Sequence, residues 1–273
     1  MSPQPFHPTQ PPAPASAGEH LRRLRRQARL SQLDLALLAG VSQRHLSCVE
    51  TGRAKASPGT LHALLGALDV PLDHCNEVFL AAGYAPRYAA SAADAPALKM
   101  VHDALGHILQ ANNPAPAIVI DSAWNVTAAN ASVGLLFALA GVQPGSEAGL
   151  NLLETLLSPG GLGDHLANAD EIRAIAWQRA AREALGNAEL ARRLQSLPAP
   201  PAPAPNAPLA PMVLTRVRTH AGELKFLSTF TTFGMPLDIT VASLRIEHLV
   251  PADSETWRVM QAAHDRWLKG HAP

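Results

Sequence analysis

The sequence predicts two domains: an all-α unit of five short helices, then an α+β unit in which strands are wrapped by helices. Three observations carry this expectation. Between residues 18 and 88, apolar side chains recur at three- and four-residue spacing, punctuated by residues that start and stop helices. Beyond Pro96 the pattern changes to β-branched and aromatic runs bounded by small turns, alternating with helical stretches. Between the two, Arg87 to Ala97 has the Ala, Ser, Asp and Pro content of a linker. A chain of 273 residues suits two domains, and its 47% hydrophobic content can fill two cores.

Taken in order, Met1 to Ala17 is rich in Pro and Ala and has neither the basic start nor the apolar run of a signal peptide, so it reads as a disordered tail. Leu21, Leu24 and Ala28 give a first helix one apolar face, with arginines on the others. Ser31 and Asp34 form a capping-box pair that starts a second helix. Its Leu33, Ala36 and Leu37 are expected to face inward, and it stops at Gly40, the residue best able to take a left-handed turn. Ser42 caps a third helix, closed by Gly52. Two short helices joined by Ala39-Gly40-Val41-Ser42 form a helix-turn-helix. Leu61, Leu64, Leu65 and Leu68 mark a fourth helix, and about 72–82 a fifth. The expected divisions are a tail at 1–17, a helical domain at 18–88, a linker at 89–97 and a second domain at 98–273.

In the second domain, Ala97 to Gln110 reads as helix, and Ala117 to Asp121 with Trp124 to Ala128 as a hairpin. Asn130 can cap a helix through Leu139, and 150–157, 169–186 and 188–197 read as further helices. The Pro/Ala run from Pro198 to Pro211 lacks too many amide donors for regular structure and is expected to be a surface loop. Met212 to Thr219, Leu224 to Thr232 and Ile239 to Glu247 have the content of a three-stranded meander. Asp253 to Leu268 reads as a final helix with Trp257, Met260, His264 and Trp267 on its docking face.

The formal charge is zero overall but unevenly placed. From Glu19 to Ala56, eight Lys and Arg face three acids, so this stretch carries +5 and the remainder −5. A basic module fits polyanion binding, because Lys and Arg displace condensed counterions from phosphates. The only cysteines, Cys48 and Cys75, are too few for a disulfide framework or a zinc site, which points to a reducing cytoplasm. No stretch reaches the roughly 20 apolar residues that span a bilayer, so no membrane role is expected. His102 and His107 are five apart, not the four that stack metal ligands on a helix. Neither HExxH nor a Gly-x-Ser-x-Gly elbow occurs, and no enzymatic activity or cofactor is expected.

Leu30-Ser-Gln-Leu-Asp-Leu-Ala-Leu-Leu-Ala-Gly-Val-Ser-Gln-Arg-His-Leu-Ser-Cys-Val-Glu-Thr-Gly-Arg53 resembles the lambda-repressor-like helix-turn-helix family, in its subgroup of xenobiotic-response-element type regulators, from about Leu21 to Ala82. A recognition helix sets its N-terminal side chains against major-groove base edges, which makes Gln43, Arg44 and Ser47 the candidate readers. Gln pairs bidentately with adenine and Arg with guanine. Ser42 and Gln32 stand at helix N-termini, where donors suit phosphate oxygens or, for Ser42, simply cap the helix. Arg53 and Lys55 follow the third helix and would hold the neighbouring backbone, while Glu50 is expected to pair with Arg53 or a helix amide. The resemblance adds a contact at Cys48, a poor base reader.

Asn113 to Asn130, Glu223 to Thr240 and Leu244 to Thr256 resemble the MmyB-like regulator ligand-binding domain, covering most of Leu98 to Thr256. The resemblance implies a PAS-like fold, with a small sheet wrapped by helices around an apolar cavity, and a lipid-like or fatty-acid-like bound molecule. The Pro/Ala run departs from that pattern. Trp124, Trp177, Phe226, Phe230 and Phe233 supply apolar area for a pocket, or equally for core. Asp238 and Glu247 are expected in solvated or ion-paired positions, or at an effector's polar end. Together these readings describe a bacterial transcription regulator that binds double-stranded operator DNA as a homodimer and senses a small hydrophobic effector. The alternative is that the second domain is a ligand-free dimerisation or protein-interaction module.

Overall fold

The computed structural model describes residues 15–142, 149–201 and 212–271. Nearly all of the expected tail, and most of the Pro/Ala run, lie outside them. The chain divides into two compact units, one holding residues up to Ala90 together with Leu237–Ile239, the other holding Ser91–Pro236 and Thr240 onward.

The first unit is all-α: α1 (Ala17–Gln27), α2 (Gln32–Leu38), α3 (Gln43–Glu50), α4 (Pro58–Ala67) and α5 (Leu72–Ala81). Each of the first four begins on a serine, Ser16, Ser31, Ser42 or Ser57, whose side chain accepts an otherwise orphaned amide of the first turn. Ser16 and Glu19, like Ser31 and Asp34, satisfy each other's backbone in full capping boxes, so α1 starts slightly ahead of Gly18. Gly40 has φ +66° and turns the chain between α2 and α3. The core contains Leu21, Leu35, Leu46, Leu61, Leu64 and Phe79. Cys75 belongs to it, and burial, helped by the Asp73 charge, pushes its thiol up to about 11.

Two inward faces differ from the expectation. On α2, Leu35 and Ala36 are buried, whereas Leu33 and Leu37 are 50% and 72% exposed. Five apolar residues among the seven of α2 colour every face, so periodicity alone could not choose the buried one. On α1, the position four beyond Leu21 is taken by buried Arg25, and Ala28 is exposed.

The second unit is α+β. A 3₁₀ turn leads into α6 (Lys99–Asn112), followed by β1 (Ala117–Ile120), β2 (Val126–Ala129), α7 (Ala131–Ala140), α8 (Leu152–Leu157), α9 (Ala169–Glu183) and α10 (Ala188–Ser196). Next come β3 (Leu214–Thr219), β4 (Gly222–Thr231), α11 (Ile239–Ser243), β5 (Arg245–Pro251) and α12 (Ser254–Gly270). The strands form one antiparallel sheet in the order β2-β1-β5-β4-β3. One face packs Ala117, Val119, Leu244 and Ile246 against Leu105 and Leu109 of α6. The other meets the larger core, where Val217, Leu224 and Phe226 lie with Leu136, Leu153 and Met260. A five-stranded antiparallel sheet packed with helices makes this unit the expected α+β domain.

Three local expectations are corrected. Residues 239–243 form a helical turn, and the third strand starts only at Arg245. That strand lies between β1 and β4, so hairpin and meander are one sheet whose pairing overrides the β-propensity of Ile239, Thr240 and Val241. Asn130 occupies the N-cap of α7 but makes no capping bond. Its Oδ1 accepts from the Ala117 amide, and its Nδ2 donates to Leu109 and Ala115 carbonyls, tying α6, β1 and α7 together. On α12 the inward face is Thr256, Met260 and Ala263, while Trp257 is exposed and Trp267 stacks with His264 and His271.

Glu183, on the last turn of α9, gathers three partners. Its carboxylate accepts from Arg245 at 2.6 Å, Arg179 at 3.0 Å and the Trp124 indole at 2.8 Å. Trp124 sits at φ +66°, a left-handed conformation costly for a residue with a Cβ. The indole bond and the turn bonds to Asp121 from Ala123 and Asn125 hold it there.

Gly18 marks the closest approach in the first unit: a Cβ there would lie 2.4 Å from the Val49 carbonyl oxygen on α3. Gly18→Ala is therefore expected to force α1 and α3 apart and cost about 1–3 kcal/mol. Loss of amide-exchange protection in both helices, with α12 unaffected, is the check.

Candidate DNA-reading face and ligand chamber

On α3, Leu46, Val49 and Glu50 are buried, Gln43 and Arg44 are exposed in the first turn, and Ser47 and Cys48 are half-buried. The structure thus places the three predicted readers within the first five residues of one short helix. Ser42 accepts the His45 amide at 3.2 Å as its cap, and its hydroxyl proton remains available to a phosphate. Exposed Arg22, Arg23 and Arg26 on α1, together with Arg53 and Lys55 beyond α3, supply cationic surface in the same unit.

Glu50 orients this helix. Its carboxylate is gripped side-on by Arg25, with Nε to Oε1 at 2.6 Å and Nη2 to Oε2 at 2.8 Å, while Gln32 donates to Oε2 at 2.8 Å. The third Arg25 nitrogen donates to the Leu30 carbonyl at 2.9 Å. Burial alone would raise the Glu50 carboxyl, but the bonds from Arg25 and Gln32 and the Arg25 charge hold it below the usual carboxylate range. Two expectations change as a result. Glu50 pairs with Arg25, because Arg53 lies past the end of α3 and donates instead to the Thr51 hydroxyl. Gln32 has one amide hydrogen committed to Glu50, leaving the second for a phosphate. Lys55 rests its ammonium 4.5 Å from the centre of the Tyr84 ring.

In the second unit, an apolar chamber of about 80 Å³ lies between the inner face of the sheet and α7, α8 and α9, walled by residues such as Ile118, Leu136, Leu156, Ile172 and Leu249. Among the described residues that line it, the ionisable one is Glu247, whose Oε1 accepts from Ser228 at 2.5 Å. Burial pushes this carboxyl above the usual carboxylate range, against the opposing effects of the Ser228 bond and the Arg179 and Arg245 charges. A larger cleft of about 550 Å³ carries Asn125, Asn151, Glu154 and Arg193.

None of the five predicted ligand residues lines either cavity. Phe226 is fully buried in the core, and Trp177 packs against that core. Trp124 is buried with its indole on Glu183. Phe230 is 42% exposed with the Arg179 guanidinium 3.8 Å above its ring, and Phe233 packs on the α6 side of the sheet. The chamber is instead mainly aliphatic, with Phe137 its aromatic member. Aliphatic cavity walls carry the same periodic signal as core, so the sequence offered nothing to separate them. Glu247 does face the chamber, whereas Asp238 sits in the segment that bridges to Ala89.

Because the folded-state pKa of Glu50 is depressed, its contribution to stability is complete above the ordinary value of 4.5 and is lost as the pH falls through the folded value. Glu50→Gln strands buried Arg25 and is expected to cost roughly 3 kcal/mol near neutral pH. Amide exchange across α3 from neutral pH to about pH 3 should show the gap between wild type and variant closing as acid protonates Glu50.

A family model of the MmyB-like transcription regulator ligand binding domain matches residues 101–263, and a helix-turn-helix domain model matches residues 16–78. No curated protein matches the chain. Among solved structures, the restriction-modification controller protein C.AhdI from Aeromonas hydrophila is 34% identical over 22% of this chain and 89% of its own, with a TM-score of 0.21. An RNA-binding light-oxygen-voltage receptor is 13% identical over 92% of this chain and 63% of its own, with a TM-score of 0.27.

Proposed function

The chain belongs to the MmyB-like transcription regulator ligand-binding domain family and carries a helix-turn-helix domain ahead of it, and from that membership we propose a ligand-responsive reader of operator DNA. The coarse statement, a DNA-binding transcription regulator with a ligand-binding C-terminal domain, follows from the two domains. The finer reading is that two copies read a near-palindromic operator, and that a small hydrophobic effector of fatty-acyl character modulates binding in the cytoplasm.

The observation that carries the reading half is the exposed Gln43 and Arg44 pair on α3. An α-helix fits the major groove, and these side chains supply bidentate chemistry for adenine and guanine. Ser47 is placed to assist, while Ser42, Gln32, Arg53 and Lys55 supply donors for flanking phosphates. One such helix reads only a few base pairs, and twofold pairing of half-sites about one helical turn apart supplies the missing specificity. The sensing half rests on the apolar chamber, whose mainly aliphatic lining suits an alkyl group.

Sequences selected from random DNA by the full chain should be near-palindromic. Raising salt should weaken binding with a slope of about 0.9 in log affinity per phosphate neutralised. Arg44→Ala should cost about 1–3 kcal/mol and relax preference at one base pair in each half-site. Binding insensitive to both salt and Arg44→Ala would remove α3 from the interface.

A further inference from the structure

The chamber and the cleft share three wall residues, Phe137 from α7, Leu150 just ahead of α8 and Thr155 within it. They are therefore adjacent compartments. The apolar compartment, about 80 Å³, falls well below the roughly 300 Å³ at which ligand pockets usually begin, so on its own it admits only the end of a chain. The cleft, about 550 Å³, is ample but partly polar. A ligand that fills both must be apolar at one end and hydrogen-bonding at the other.

Charge at the polar end narrows the head group. Arg193 is the cationic side chain among the described residues lining the cleft, and it is already engaged. Its Nη1 donates to Glu154 at 2.6 Å, its Nη2 to the Asn125 side-chain oxygen at 3.2 Å, and Glu189 lies 3.7 Å from Nη2. Two carboxylates thus surround one guanidinium, leaving a local negative excess. Asn151 donates to Ala123 and Asn125 and accepts two amides of α8, so it is committed as well. Arg193 Nε makes no bond but is itself covered by protein, so it does not open on the cleft. The half-exposed Glu154 carboxylate can accept from a hydroxyl or amide proton. A carboxylate head would bring a further negative charge into this setting, where the described lining residues offer no unpaired cation to receive it, a cost that rises as water is excluded.

We propose that cleft and chamber form one channel for an amphipathic effector, with its alkyl end past Phe137 in the chamber and an uncharged, hydrogen-bond-donating head at Glu154. This rests on the hydrophobic-effector reading and sharpens it: the chain is carried as an alcohol or amide, and not as the free acid. Phe137 is the partition that the chain must displace, and the acidic groups around Arg193 set the head-group preference.

The test is direct calorimetric binding of decan-1-ol, decanamide and decanoate to the full chain near pH 7, with Phe137→Trp and Glu154→Gln variants. Decan-1-ol and decanamide are expected to bind at least about tenfold tighter than decanoate, a difference of about 1.4 kcal/mol. Phe137→Trp should plug the passage and remove binding of the neutral pair, and Glu154→Gln should narrow the gap by strengthening decanoate. Decanoate binding as tightly as the neutral compounds overturns this proposal while leaving a hydrophobic effector in place. Failure of all three compounds to bind wild-type protein overturns the effector reading itself. The comparison of the three ligands needs no variant, so a poorly folded Phe137→Trp protein does not shield the proposal.

Discussion

A buried carboxylate at the end of the recognition helix is the constraint on which the DNA-reading half depends. Glu50 is removed from water at the point where α1, α2 and α3 converge, and an unpaired charge there would be prohibitive. Arg25 and Gln32 occupy three acceptor positions, two of them through the side-on edge of one guanidinium. An apolar contact could slide by a fraction of a turn, whereas a bidentate pair fixes both axial position and rotation. The rotation of α3 decides which residues face outward, and so the exposure of Arg44 follows from a bond on another face of the helix. Gly18, which lets α1 approach the α3 carbonyls, belongs to the same device.

The sensing half uses a related economy of charge with a different outcome. Glu183 is shared by two arginines and an indole, and it holds a tryptophan in a left-handed turn beside the sheet. Burial, outweighed by the bonds and charge of Arg245 and Arg179, leaves its carboxyl below the usual range. Glu247, two residues along β5 from Arg245, is instead pushed upward by burial and faces the chamber. One strand therefore presents an engaged cation and a reluctant acid on the same face, next to aliphatic walls.

The helical domain was legible because its signals are local. Serine caps, the Ser31–Asp34 box and the Gly40 turn act over three or four residues, and each is present in the structure. The buried face of α2 was not legible, since Leu33, Leu35, Leu37 and Leu38 leave no polar side to contrast. Arg25 read as one more member of a basic helix, because its partner lies 25 residues away. In the second domain, strand content was visible, but the central place of β5 was not, as it depends on pairing with β1 across more than a hundred residues. The candidate aromatics were chosen for size, and size sent Phe226 into packing and left Phe230 at the surface under Arg179. Phe137 carried no such mark within the apolar helix α7.

If the two halves make a regulator, occupancy of the channel must change operator affinity, and by linkage the operator must change ligand affinity by the same factor. The decisive measurement is the dissociation constant of the full chain for its selected operator, with and without saturating decan-1-ol, paired with decan-1-ol affinity measured with and without operator. The account predicts a coupling of at least about fivefold, roughly 1 kcal/mol, equal in both directions. Tight binding of both ligands with a coupling factor of one would contradict it, leaving a DNA-binding protein whose second domain holds a molecule without reporting it.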